Sequence, residues 1–344
     1  MAERTGCMTD VRMVAHDPGR GHPECPDRLR ALMAHAEGLG DLVPIGAREA
    51  SDEELARVHT PELIARIEDT RGTPHTRFDP DTAASAASCE AARLAAGGLI
   101  DLCEAVCAGE VANGIALVRP PGHHAERERA MGFCLFNNVA VAAQALRARG
   151  VGRIAIVDWD LHHGNGTQHA FEHDPDVLYV STHQYPFYPG TGAAEEVGVG
   201  AGMGRTLNVP CPAGFGDGEL TAIFDDLVVP ALRVFAPEFL LVSAGFDCDG
   251  RDPLGGLQVT PAGIAAMARA CAQVARETAR GRIVAVLEGG YDLGALTDGI
   301  EVVVEEWRDR ATPVPAAQTG DPRRAAPLIE HVRRIHTPHG TIGQ

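Results

Sequence analysis

The segment Arg153-Ile-Ala-Ile-Val157, running straight into Asp158-Trp-Asp160-Leu-His162-His163-Gly-Asn165, sets the reading of the whole chain. A short, β-branched apolar run without polar alternation is a strand covered on both faces. Three similar runs occur, Gly114 to Val118, Phe239 to Val242 and Arg282 to Leu287, with Val177 to Val180 as a weaker fifth. Helical patterns separate most of them: Asn138 to Ala148, Gly218 to Phe235, and Thr260-Pro261 (an N-cap, then proline at the first helical position) through Arg280. Upstream, Pro26 to Leu39 has apolar residues at helical spacing, Ser51-Asp-Glu-Glu54 is a capping box, and Thr82 to Ala108 reads as one long or two short helices. Buried strands alternating with helices predict an α/β fold, a central and mainly parallel sheet with helices on both faces, in one domain over residues 1–310. From Ala311 the chain turns Pro/Ala-rich and polar. Residues 311–344 read as a tail packed on the domain or on a neighbouring subunit, so a homo-oligomer is compatible with the pattern.

Composition narrows the function. The 344 residues carry 30 basic and 47 acidic side chains, a net charge of −17, and every basic residue is arginine. Without lysine there is no Schiff-base chemistry and no Walker P-loop. The acidic balance argues against direct nucleic-acid binding, which needs a basic footprint. No run of about 18 apolar residues exists to span a membrane, and Met1 to Asp10 lacks the apolar core of a secretory signal. Nine cysteines, an odd number without framework spacing, read as reduced thiols in a cytoplasmic protein. Cys103 and Cys107, four apart, read as helix packing rather than a metal site.

Chemistry-bearing residues follow each buried run. Val118 leads into Arg119-Pro-Pro-Gly-His123-His124, Val157 into the segment above, Val242 into Ser243-Ala-Gly-Phe-Asp247, and Leu287 into Glu288-Gly-Gly-Tyr291. Ligands of open parallel sheets bind outside the carboxyl ends of the strands. A lone Asp after a strand is usually a turn residue, but four such clusters are not a coincidence of turns. Asp160 and His162, two apart on extended chain, project to one side. With Asp247 they make three protein ligands and leave a position open for water, as in catalytic zinc sites. The same O/N set admits Fe(II), Mn(II) or Co(II). A metal there would acidify its water and polarise a carbonyl. His123 and His124 then suit general base and acid, with Asp158 and Asn165 as imidazole partners. Tyr291, between Gly290 and Asp292, suits an oxyanion donor.

These stretches resemble the histone deacetylase superfamily, in particular class II deacetylases and their bacterial relatives, including acetylpolyamine amidohydrolases. The resemblance runs from His22-Pro-Glu and Arg28 to Glu288-Gly-Gly-Tyr291 and includes Gly132-Phe-Cys-Leu-Phe-Asn-Asn and Asp158-Trp-Asp-Leu-His-His-Gly-Asn-Gly-Thr-Gln. It implies an arginase-deacetylase fold and one zinc per chain on Asp160, His162 and Asp247. It also implies a tandem acid–base pair in His123 and His124, and a carbonyl-polarising Tyr291. A structural potassium is implied on Asp158, Asp160, His162, Ser181 and Thr182. Asn165, where class I enzymes carry aspartate, groups the chain with class II.

By the same resemblance Gly132, Phe133 and Tyr188 line a narrow substrate channel, and Arg28 lines an exit cavity for acetate. Two facing rings make a slot suited to methylenes. Leu254 stands at the rim position where a polyamine-selective relative carries glutamate, and leucine cannot recognise a cationic amine. The expected activity is removal of an acetyl or short acyl group, with acetyl-lysine in peptides or proteins favoured over acetylpolyamines. Asp247-Cys-Asp249 keeps an arginase-like two-metal centre as an alternative, and a binding module without turnover is a further one.

Overall fold

The computed structural model of the chain describes residues 4–308 and 316–343. The expected domain boundary at residues 310 and 311 lies outside the described residues. Contacts group the chain into two compact units: Met1–Val151 with Gly164–Ala170 and Val284–Gly289, and Gly152–His163 with Phe171–Ile283 and Gly290–Gln344.

In the first unit four strands pair in parallel in the order β2-β1-β5-β10: β1 (Thr5–Met8), β2 (Val43–Ile45), β5 (Asn113–Ala116) and β10 (Ile283–Leu287). Helix α1 (Pro26–Gly38) carries Arg28 and Leu29 on its buried face. The short α2 (Asp52–Leu55) opens on the expected capping box, Ser51 bonding the Glu54 N–H and Glu54 bonding back. Helix α3 (Pro61–Glu68) is capped by Thr60. The long α4 (Ser88–Ala108) is apolar on nearly every side and lies on β1 and β5, with α5 (Asn138–Ala148) against it. The helix expected from Thr82 begins only at Ser88. Ahead of it Asp79 Oδ1 captures the N–H groups of Asp81 and Thr82, at 3.0 and 2.7 Å, closing a turn between two-residue strands β3 (Thr76–Arg77) and β4 (Ala83–Ala84). A short acidic side chain competes with helix formation in this way.

The second unit holds β9-β6-β7-β8, also parallel: β6 (Ile154–Asp158), β7 (Val177–Gln184), β8 (Thr206–Cys211) and β9 (Phe239–Ala244). Every residue of β6, β7 and β9 is buried, so their polar members are buried too. Helix α9 (Pro261–Thr278) lies on β9, and α10 (Leu293–Trp307), capped by Asp292, packs on α9. The expected helix from Gly218 to Phe235 is α7 (Asp217–Ile223), one wide turn over Phe224–Val228, and α8 (Val229–Phe235). Pro230 has no N–H for the regular ladder, which accounts for the widened turn. Beyond residue 315 the chain forms α11 (Ala326–His336), which buries Ile329, Val332 and His336 beside β8. Buried Asp217 anchors this stretch by accepting the Gln318 N–H at 2.8 Å.

Candidate active site

The carboxyl ends of β6 and β9 converge in the second unit. Asp158 closes β6 and is held from two sides, by the Asp160 N–H at 3.1 Å and the Tyr179 hydroxyl at 3.0 Å. The chain then turns so that Leu161 N–H donates to Asp247 Oδ1 at 2.8 Å, locking the two strand ends together. This brings His162 Nδ1 to 3.3 Å from Asp160 Oδ1 and 3.0 Å from Asp247 Oδ2. Ligand atoms on a tetrahedron of zinc-like radius lie about 3.3 Å apart, so His162 approaches both carboxylates at the spacing a shared metal would impose, and the three donors all lie within 4.8 Å of one another. Among the described residues, Asp160, His162 and Asp247 are the one cluster of three such donors.

The donor chemistry fits a divalent cation. Both carboxylates are fully buried, and two buried negative charges side by side are costly. Burial and the neighbouring charge of Asp160 push Asp247 up to about 7. Burial disfavours a charged His162, yet hydrogen bonds to Asp160 and Asp247 outweigh it and raise the imidazole to about 10. The cluster is short of positive charge, and an oxygen–nitrogen set without thiolate suits zinc, Fe(II), Mn(II) or Co(II). Asp249, by contrast, spends its carboxylate on Arg251, accepting from its backbone N–H, Nε and Nη2, each at 2.9 Å.

Around the cluster, Phe187 stacks on the His162 ring at 5.5 Å and Tyr188 meets it edge-on at 6.0 Å. Ser181 sits opposite Asp158 in the β6–β7 register, with Thr182 next along the strand. Ser181 Oγ bonds His183 Nδ1 at 2.9 Å while His183 Nε2 donates to the Gly192 carbonyl, also at 2.9 Å. Leu254 and Tyr291 are tied by Asp252, whose carboxylate accepts from the backbone N–H groups of both, at 2.9 and 2.6 Å.

In the first unit the ends of β5 and β10 converge as well. Glu288, fully buried, accepts from the N–H groups of Gly122 and His123 at 2.7 and 3.1 Å. The His123 and His124 rings lie 4.1 Å apart, both buried. His124 Nδ1 is 2.8 Å from Asn165 Oδ1. Gly132, at φ +57°, presses so closely on the His124 ring that a Cβ would lie 2.4 Å from it. The next residue, Phe133, also has a left-handed backbone at φ +67°, uncommon for an aromatic side chain. Its N–H donates to Thr82 Oγ1 at 3.0 Å and its ring packs edge-on against His22 at 4.6 Å. Arg28 is fully buried, bonding the Glu24 carboxylate at 3.1 Å and the Glu288 carbonyl at 2.6 Å. Glu24 in turn pairs with buried Arg119.

A family model for the histone deacetylase domain matches residues 22–307. The chain belongs to the histone deacetylase family. It is 44% identical to Histone deacetylase 15 of Arabidopsis thaliana over 86% of this chain and 55% of that protein. It is 39% identical to the Polyamine deacetylase HDAC10 of Homo sapiens over 96% of this chain and 51% of that one. The chain thus spans about half the length of these curated relatives. The crystal structure of the HDA15 HD domain superposes with a TM-score of 0.89 at 41% identity, covering 97% of this chain and 96% of that one. The fold is the α/β arginase-deacetylase type, with its central parallel sheet, that the resemblance implied. The roles of Glu288, which accepts from the Gly122 and His123 N–H groups, and of Glu126, which bonds Asn165, have no signal in the sequence, because a lone glutamate carries no spacing pattern.

Proposed function

We propose that the chain is a zinc-dependent amidohydrolase that removes an acetyl or short acyl group from an N-acylated amine, foremost acetyl-lysine in peptides or proteins. The observation that carries it is the set Asp160, His162 and Asp247, two buried carboxylates and a partly buried imidazole gathered closely enough for one metal, with no thiolate. A divalent ion held there would polarise the acyl carbonyl and acidify water at its open position. His123 and His124 serve as acceptor and donor of the proton that moves from water to the leaving amine. Tyr291 donates its hydroxyl to the oxygen that gains charge, and Asp252 fixes its backbone for that task. Asp158, braced by Tyr179, keeps the β6 end rigid and, with Asp160, His162, Ser181 and Thr182, supplies the oxygen ligands for a structural potassium.

Gly132, Phe133 and Tyr188 grip the aliphatic arm of the substrate, and Arg28 with its buried partners lines the exit for acetate. Leu254 offers no carboxylate for a cationic amine, which favours acetyl-lysine over the polyamine chemistry in the name of the human relative. A two-metal ureohydrolase loses its motive, because Asp249 is taken by Arg251. None of the nine cysteines, all among the described residues, forms a disulfide, which suits a reducing compartment, and we assign the protein to the cytoplasm. Among the described residues no helix is long and apolar enough to cross a membrane. Zinc-loaded protein assayed on acetyl-lysine peptides, acetylputrescine and longer acyl-lysines tests the reading. Acetyl-lysine should turn over fastest, and Tyr291→Phe should lower kcat by about 10²–10³-fold. No turnover of any acyl amine, with Tyr291→Phe indistinguishable from wild type, refutes it.

A further inference from the structure

Four side chains of the first unit form one hydrogen-bonded row. His124 Nδ1 meets Asn165 Oδ1 at 2.8 Å, Asn165 Nδ2 donates to Glu126 Oε1 at 2.5 Å, and the same carboxylate bonds His169 Nδ1 at 2.9 and 3.0 Å. An asparagine amide has a donor end and an acceptor end of nearly equal shape. Which end faces the histidine decides where the neutral imidazole keeps its proton. With oxygen facing Nδ1, that nitrogen must carry the hydrogen and Nε2 has the lone pair. With the amide turned over, the –NH2 would face Nδ1, and the proton would sit on Nε2, the wrong form for a base acting through that atom.

The amide cannot choose its orientation from within, but its surroundings can. Every partner of Asn165 Nδ2 is an acceptor: the Glu126 carboxylate, the His124 carbonyl at 3.4 Å and Met131 Sδ at 3.5 Å. The carboxylate is the strong one, because an ionised acceptor at short range is worth roughly twice a neutral partner. Glu126 is itself fixed. Its backbone carbonyl accepts from buried His59 Nδ1 at 3.0 Å, its N–H donates to the Arg129 carbonyl at 2.9 Å, and His59 Nε2 accepts from the Asn137 N–H at 2.9 Å. Burial works against its ionisation, but His169, Asn165 and Arg129 more than offset this and hold its carboxyl below the usual range. At neutral pH it has no proton to donate.

We propose that Glu126 is a positioning residue for the acid–base pair: it holds the Asn165 amide in the orientation that puts the His124 proton on Nδ1 and leaves Nε2 to take one. Asn165 and Glu126 together do what a single carboxylate at position 165 would do alone, with the negative charge moved one side chain further from the imidazole. The inference rests on His124 being an acid–base group of the proposed amidohydrolase.

The test is made on the zinc-loaded full chain with 15N-labelled histidine, the His124 signals being assigned by their loss in His124→Asn. Wild type should show Nδ1 protonated and Nε2 bare. In Glu126→Gln, whose amide can present either end, the His124 pattern should shift towards the Nε2–H form. Acetyl-lysine kcat should fall about tenfold, as expected for loss of one charge-assisted bond, with KM unchanged. Asn165→Asp added to Glu126→Gln should restore both readouts, since a carboxylate accepts whichever way it turns. Should Glu126→Gln fail to fold, Glu126→Asp withdraws the carboxylate by one methylene without changing charge, and the same shift towards Nε2–H is expected. An unchanged His124 pattern in the folded variant, or a double variant no better than Glu126→Gln, overturns the proposal. The nitrogen signals do not depend on turnover, so an inactive wild type whose His124 still follows Glu126 refutes the amidohydrolase reading, and with it the catalytic purpose, while the control of the His124 proton by Glu126 stands.

Discussion

Gly245 follows β9 directly and faces Asp160, one of the three proposed metal ligands, at a distance that leaves no room for a side chain. A Cβ built on it would lie 2.1 Å from Asp160 Oδ2, 2.5 Å from Cγ and 2.6 Å from Cα. Ordinary contacts between carbon atoms are about 3.5–4.0 Å, so Gly245→Ala must displace Asp160 or the end of β9 by about 1 Å. Rotating the Asp160 side chain does not relieve the clash, because the third contact is with backbone. Zinc ligands tolerate about 0.2 Å, and a 1 Å misplacement of a positioned group costs about 10²-fold. Zinc affinity should therefore fall about 100-fold, or roughly 2.7 kcal/mol. The zinc-free protein should lose about 1–3 kcal/mol of stability from overpacking. Competition with a fluorescent chelator, alongside thermal melts with and without zinc, separates the two effects. Gly152→Ala is the control: its Cβ would meet the Glu238 carboxylate, Oε1 nearest at 2.6 Å, the far end of an exposed side chain that can swing away. If Gly245→Ala holds zinc as tightly as wild type, the three ligands are not the metal set.

Zinc affinity should also rise with pH. Without metal, His162 keeps a proton up to about 10 and Asp247 up to about 7. Binding must expel these protons, so the dependence should be steeper below about 7 than above it. Chelator competition at pH 6, 7 and 8 checks this, and a flat profile contradicts it. Leu254→Glu should raise kcat/KM for acetylated polyamines relative to acetyl-lysine peptides by about tenfold, the scale of one exposed-to-partly-buried charge pairing. An unchanged ratio would remove Leu254 from the specificity argument.

Much of the molecule could be read in advance, and particular residues show why. Helix α5 starts and stops at the expected residues, because Asn137 caps it and the apolar spacing is regular. Strands β6, β9 and β10 were visible because burial on both faces demands an unbroken apolar run. Strands β1 and β8 were not. Thr-Gly-Cys-Met and Thr-Leu-Asn-Val-Pro-Cys have no strand pattern of their own and are extended because β5 and β7 lie beside them. Helix α10 escaped notice although Asp292 caps it, and α11 was hidden in a stretch whose composition reads as loop.

The local chain alone determined the strand–helix alternation, the placement of His and Asp at strand ends, and the residue types able to hold a metal. These depend on neighbours within a few positions, where periodicity and capping act. The tertiary structure decided the rest: the 3.0 Å approach of His162 to Asp247, the burial that lifts the Asp247 carboxyl, and the commitment of Asp249 to Arg251. It also decided which end of the Asn165 amide meets His124. Those are properties of distance, dielectric and hydrogen-bond partnership between residues far apart in sequence, and no local pattern encodes them.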